Sequence, residues 1–183
     1  MTPAPRPQPG RPAPAPGLRQ RLETLGRGLF PGVSTALLMI LAAAPVGIPA
    51  AVEAVTLPCI FFWTVFRPGS MSAPAVFLLG LLQDLLTMAP FGTGVLVLLL
   101  LHAVALRFRL AIARQSFLIV WLVFCAHALG ATLLDWVLYG VLSLRLAPLP
   151  PALHLCLMAA GLYPALALVL SRLHAAMQEA EAS

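Results

Sequence analysis

The chain has 183 residues, of which 61% are hydrophobic and only 9% are charged. A soluble domain carries about 25% charged residues, so this chain lacks the polar side chains needed to cover a water-exposed globule. The composition argues against a soluble enzyme, a disordered regulator and a nucleic-acid binder, and it predicts a polytopic membrane protein. Because a transmembrane helix takes about 20 residues, the chain has room for at most about seven helices and no sizeable soluble domain.

The first 27 residues are predicted to form a Pro- and Arg-rich cytoplasmic tail. Residues 1–17 contain seven prolines, a composition that is incompatible with a helix and typical of a polyproline-like linker. No apolar core follows closely on the start, so a signal peptide is not predicted. Residues 18–27 are predicted to form a short basic helix that leads to the membrane. A solvated tail is favoured over a docking segment for a proline-binding domain.

Six apolar spans follow, separated by gaps that contain proline, the residue that most often interrupts helices. They cover about residues 29–46, 52–66, 72–88, 92–106, 115–138 and 149–173. The second span is the weakest, because its uninterrupted apolar run of about 13 residues is short for a crossing. It is predicted to cross with a tilt or to re-enter, and five helices are the alternative to six. The predicted transmembrane helical domain covers residues 28–174, and residues 175–183 form a short cytoplasmic tail.

The basic residues, all eleven of them Arg, indicate the orientation. If the tail is cytoplasmic, six spans place ten Arg on the cytoplasmic side and one, Arg145, outside. This bias is the positive-inside pattern of membrane proteins, and a five-helix arrangement would lose it. It predicts that both termini are cytoplasmic. The positive net charge is therefore a topology signal, with a further contribution to contact with anionic lipid, and nucleic acid is not a predicted partner.

Asp84 is the strongest candidate for a functional residue inside an apolar span. It lies among leucines, where an ionised carboxyl costs about 2.5–3.5 kcal/mol to insert. Gly80 lies one helical turn before it on the same face and permits a neighbouring backbone to come close. One interpretation is an ion, proton or substrate site. The favoured interpretation is structural: a hydrogen bond between helices or to a partner subunit, or a carboxyl near enough to the surface to be hydrated.

The remaining polar residues give weaker signals. Asp135, beside Trp136 and Tyr139, and Glu53 are expected near the external interface, where three acids either form an acidic patch or only mark helix entries. The four His and three Cys lack metal-ligand or disulfide spacing, so no metal is predicted. An intramembrane His is interpreted as a hydrogen-bond partner between helices. Catalytic and cofactor motifs are absent from the sequence, so neither an enzyme nor a cofactor is predicted.

Residues 58–101 contain an ordered set of features. A Trp-containing span ends before a Pro turn, a helix with a Gly-Leu-Leu-x-Asp core follows, and a Pro-Phe-Gly turn leads into a Leu-rich helix. This set resembles the bacterial rod shape-determining protein MreD family. The residues that carry the resemblance are Trp63, Pro68, Gly80, Leu81, Leu82, Asp84, Pro90 and Gly92. Phe91 stands where Leu is common in the family.

The resemblance implies a non-enzymatic membrane scaffold or regulator of the bacterial cell-elongation complex. Such a protein lies in the inner membrane, associates with MreC and controls peptidoglycan synthesis and rod shape. Further partners implied through the complex are MreB, RodA and a penicillin-binding transpeptidase. The implied fold is a compact helical bundle that resembles the substrate-binding component of vitamin transporters. The candidates for partner or helix contacts are then Gly80, Asp84, Trp63, Pro90 and Gly92.

The alternative function is a small membrane transporter, or a substrate-binding membrane subunit of a vitamin-type transporter. That function requires a partly hydrated cavity into which several polar side chains converge. The sequence offers few such side chains, chiefly Gln83, Asp84, Thr87 and the histidines. The scaffold is therefore the favoured hypothesis.

Overall fold

A computed structural model describes residues 18–44, 49–144 and 149–182. Residues 1–17, 45–48, 145–148, which include Arg145, and 183 lie outside the described residues. The described residues fold into six α-helices without strands, which confirms the predicted all-α architecture. The helices are α1 (Leu18–Ala43), α2 (Pro49–Phe66), α3 (Ala73–Thr87), α4 (Thr93–Ile112), α5 (Phe117–Ser143) and α6 (Leu149–Ala182).

The helices have the lengths and apolar surfaces of an integral membrane bundle. Three of their segments are long and apolar enough to cross a membrane: Thr93–Ile112, Phe117–Ser143 and Pro150–Ala176. Three shorter apolar helices accompany them: Gly28–Ala43, Ala50–Phe66 and Ala73–Thr87. Large side chains such as Leu110 and Leu157 are exposed on the outside of the bundle. Apolar surface of this extent is stable against lipid and unfavourable against water.

Helix α2, the predicted weak span, lies at the centre of the bundle. It is an unbroken helix of 18 residues with Pro58 inside, about 27 Å long at 1.5 Å per residue. It contacts each of the other five helices. Every residue from 56 to 65 is buried, which explains why this segment is apolar on all sides.

Several helices run further than the sequence predicted. Helix α4 continues to Ile112, so Arg107 and Arg109 lie on the helix and not in the predicted loop. Arg has a high helix propensity, and a cation in the last turn interacts favourably with the helix dipole. Helix α6 continues to Ala182, beyond the predicted end of the sixth span. Helix α1 begins at Leu18, so the basic helix predicted over residues 18–27 is continuous with the first span.

Three of the six acids lie at one end of the bundle, and five of the eleven Arg lie at the other. At one end, the start of α2, the turn between α3 and α4, and the last part of α5 line a common cavity. We call this the acidic end, because it holds the three acids Glu53, Asp84 and Asp135. At the other end, the end of α2, the start of α5 and the last part of α6 line another cavity. We call it the arginine end after Arg67, Arg107, Arg109, Arg114 and Arg172.

Candidate functional site

The carboxylate of Asp84 binds the first turn of α4. The side chain is 1% exposed. Its Oδ2 atom accepts the backbone N–H of Gly92 at 2.7 Å, and its Oδ1 atom accepts that of Gly94 at 2.9 Å. The first N–H groups of a helix lack partners within the helix, and a negative charge there also interacts favourably with the helix dipole. The buried charge of Asp84 is thus compensated by the chain's own backbone.

Two glycines allow α3 and α4 to approach closely enough for this contact. A Cβ atom added at Gly80 would lie 2.7 Å from the Cα of Val95, inside any real van der Waals contact. A Cβ atom at Gly94 would collide with the carboxylate of Asp84. The two helices therefore meet backbone against backbone, as small residues permit in membrane bundles.

The turn between α3 and α4 has a conformation that its residues specify. Met88 ends α3 with φ 54°, and Gly92 precedes α4 with φ 98°. A φ of 98° is accessible to glycine and costly for residues with a Cβ atom. The carbonyl of Pro90 accepts the N–H of Thr93 at 3.2 Å and its hydroxyl at 2.8 Å. This geometry presents the N–H groups of the first turn of α4 to Asp84.

Four of the five predicted contact residues thus belong to one unit, which we call the α3–α4 hairpin. It comprises Gly80, Asp84, Pro90, Gly92 and Gly94. Sequence reasoning missed Gly94. Its signal is the Gly-x-Gly spacing with Gly92, which leaves the backbone N–H groups of both glycines unobstructed for a carboxylate.

Trp63, the fifth predicted contact residue, lies apart from the hairpin in the core. It is 0% exposed. Its ring packs edge-on against Phe30 of α1, and it lies 6.4 Å from the ring of His174 on α6. Among the described residues its indole N–H has no hydrogen-bond partner. In the isolated chain Trp63 therefore connects helices, and its surface is not available to another protein.

A buried hydrogen bond connects α2 to α4. The hydroxyl of Thr64 lies 2.8 Å from Nδ1 of His102, and both side chains are buried. This pair bears out the interpretation of an intramembrane His as a hydrogen-bond partner between helices. The described residues contain no group of three or more His, Cys, Asp or Glu side chains placed to hold a metal.

Glu53 and Asp135, which gave weak signals in the sequence, face a common cavity. At the acidic end, Glu53, Asp135 and Tyr139 line a cavity of about 260 Å³ together with the α3–α4 turn. A smaller cavity of about 20 Å³ is also lined by both acids, with Gln83 of α3 and Thr132 of α5. The sequence predicts only an interfacial position for Glu53 and Asp135 and gives no strong functional signal for either. The packing of α2 against α5, both directly and through α4, brings them together.

The arginine end contains larger and mostly apolar cavities. One of about 690 Å³ lies between α2, α5 and α6 and is lined by aromatic side chains, among them Phe62, Phe66, Phe117 and Tyr163. Another, of about 470 Å³, is lined by residues of α2, α4 and α5 and by Gln115 between α4 and α5. Cavities of this size are within the range of small-molecule sites.

The fold and the α3–α4 hairpin define an integral membrane protein, a helical bundle in which Asp84 holds α3 against α4 of the same chain. Residues 28–171 match the family model described as rod shape-determining protein MreD. The chain belongs to this family, and it is a membrane protein with a role in rod shape determination. No curated protein sequence and no solved structure shows a significant match. The resemblance to the vitamin-transporter component therefore rests on sequence analysis alone.

Proposed function

We propose that this chain is a non-enzymatic scaffold of the cell-elongation complex that associates with MreC and thereby controls peptidoglycan synthesis. The observation that carries the proposal is the family match over residues 28–171. The family belongs to the MreBCD shape-determining system and is a structural family, so its members act through partner proteins. Through the same complex the chain associates indirectly with MreB, RodA and a penicillin-binding transpeptidase. The inner membrane is the proposed location, with both termini cytoplasmic.

The geometry of the α3–α4 hairpin supports a scaffold. Asp84 compensates its charge within the chain, so the hairpin holds its shape without a ligand. Its turn carries two large apolar side chains, Met88 at 93% and Phe91 at 72% exposure. Exposed apolar side chains on a rigid turn are suited to contact another membrane protein. We place the partner contact at this turn, with Gly80, Asp84, Pro90 and Gly92 as the residues that hold it in position.

The test is co-purification after crosslinking in native membranes of a rod-shaped bacterium depleted of its own MreD. We expect the chain to restore rod shape and to recover MreC. Phe91→Ala removes surface at the turn and leaves the hydrogen bonds of Asp84 in place, so it should reduce MreC recovery. The matched control is Leu110→Ala, which removes an exposed apolar side chain near the arginine end. Failure of the unaltered chain to recover MreC or to restore rod shape contradicts the proposal.

One observation favours the alternative function, a small membrane transporter. The cavity of about 690 Å³ at the arginine end has the size of a small-molecule site. Tyr163 contributes to its lining and is itself almost fully buried. Tyr163→Phe keeps the ring and removes the hydroxyl. Loss of uptake of a small molecule in this variant, with rod shape and MreC recovery unchanged, would support transport over the scaffold.

A further inference from the structure

Nine residues line the small cavity at the acidic end, of which five are apolar and four, from three helices, carry side-chain oxygen atoms. Glu53 comes from α2, Gln83 from α3, and Thr132 and Asp135 from α5. Glu53 and Asp135 line both this cavity and the larger one beside the α3–α4 turn, and like charges at short range in a bundle are unfavourable. No Arg, Lys or His is among the residues that line this cavity. A compensating positive charge is therefore missing from its wall.

Two of these side chains are buried with an oxygen atom that has no hydrogen-bond partner. Gln83 is 8% exposed and Thr132 is 4% exposed. Among the described residues, Oε1 of Gln83 and Oγ1 of Thr132 have no partner. A buried polar atom without a partner costs about 1–3 kcal/mol, so each such atom calls for an explanation. Since both side chains line the same small cavity, one occupant can satisfy both.

We propose that this cavity is a binding site for one divalent cation, Ca²⁺, held by Glu53, Gln83, Thr132 and Asp135. Ca²⁺ takes six to eight oxygen ligands in flexible geometry, from carboxylates, amide carbonyls and water. Mg²⁺ requires near-ideal octahedral geometry and dehydrates reluctantly. Four side chains of mixed type on three helices suit Ca²⁺ better. Its two positive charges match the two carboxylates.

The dimensions of the two cavities agree with this assignment. The volume of about 20 Å³ holds a single particle of the size of a water molecule or a metal ion. The cavity of about 260 Å³ shares Glu53 and Asp135 with it, and the proposal places the water ligands of the ion there. In the proposed orientation this end faces outward. A dissociation constant of about 10⁻⁴–10⁻³ M, as in extracellular calcium modules, is then expected.

The experiment is calcium binding to the full-length chain, purified in detergent and freed of metal, measured by isothermal titration calorimetry with CaCl₂. We expect one Ca²⁺ per chain and at least a tenfold weaker affinity in Glu53→Gln and in Asp135→Asn. The matched control is Glu179→Gln, which replaces an acid that does not contribute to the lining of the cavity and should leave the affinity unchanged. Thr132→Val keeps the side-chain shape and tests the site if the carboxylate variants fail to fold.

Three results would overturn the assignment. The first is that the unaltered chain does not bind Ca²⁺ at a concentration 10-fold above the upper expected dissociation constant. The second is an unchanged calcium affinity in Thr132→Val and in both carboxylate variants, and the third is that MgCl₂ binds as tightly as CaCl₂ or more tightly. Binding of methylammonium chloride without binding of CaCl₂ would also overturn it and would assign the cavity to an amino group. The measurement uses the isolated protein, so its outcome is independent of the scaffold proposal.

Discussion

Asp84 caps the first turn of α4 through the backbone N–H of Gly94, ten residues further along the chain. This contact explains why an acid is tolerated inside an apolar span. The carboxylate is buried, yet two amide groups compensate its charge, and neither a ligand nor a partner protein is needed for that. The residue that the sequence singles out for chemistry therefore has an architectural role in this chain.

Asp84→Asn should destabilise the protein. The amide accepts one backbone hydrogen bond through its oxygen, but its NH₂ group then faces the second N–H group, and the charge is lost. Hydrogen bonds to charged groups are worth about 1.5–3 kcal/mol, which lowers the melting temperature by about 3–12 °C in a chain of this size. The measurement is thermal unfolding of the detergent-purified protein. Asp135→Asn in metal-free buffer is the control, since Asp135 faces a cavity. Equal destabilisation by the two variants would contradict the capping role.

Gly80→Ala should separate α3 from α4. Its Cβ atom would meet the backbone of Val95, which has no rotamer to relieve the clash, and overpacking of this kind costs about 1–3 kcal/mol. Gly130→Ala is the matched control, because nothing lies within 4 Å of a Cβ atom at that position of α5. That control should be neutral or stabilising by up to about 1 kcal/mol. Denaturant unfolding of both variants tests the close approach, and a neutral Gly80→Ala would argue against it.

Thr64→Val should weaken the contact between α2 and α4. It leaves Nδ1 of His102 buried without its partner, and hydrogen bonds between membrane helices contribute about 0.6 kcal/mol on average and up to about 1.7 kcal/mol. Thr56→Val is the control on the same helix, since the Thr56 hydroxyl bonds only the carbonyl of Val52. A double-mutant cycle with His102→Leu isolates the pairwise energy. A coupling energy of zero would show that the pair does not connect the helices.

Cysteine labelling should place the two ends on opposite sides of the membrane. In a background without the three native cysteines, we expect Met88→Cys at the acidic end to react with an impermeant maleimide added to intact cells. Gln115→Cys, exposed at the arginine end, should react only after permeabilisation. The expected asymmetry follows from the positive-inside pattern. The reverse labelling pattern would invert the proposed orientation.

Local patterns predicted much of the α3–α4 hairpin. The helical period placed Gly80 and Asp84 on one face, and Pro90 and Gly92 indicated a turn. The function of Gly94 was not predicted, because a hydrogen bond between residues ten apart depends on the conformation of the turn. The sequence also left open how the second span crosses, because its apolar run is short. Burial by the other five helices, a tertiary property, accounts for that span.

The sequence by itself determined the membrane class, the helical architecture and the family resemblance, because composition, apolar runs and an ordered motif are properties of the chain. The placement of Arg residues at one end was also readable, since helices that alternate in direction return each loop to a fixed side. Only the tertiary structure decided which carboxylates have their negative charge compensated by backbone N–H groups. Asp84 lies against amide groups, whereas Glu53 and Asp135, from spans far apart in the chain, meet at a cavity. Side-chain neighbours across helices depend on rotation and packing of the helices, which hydropathy does not encode.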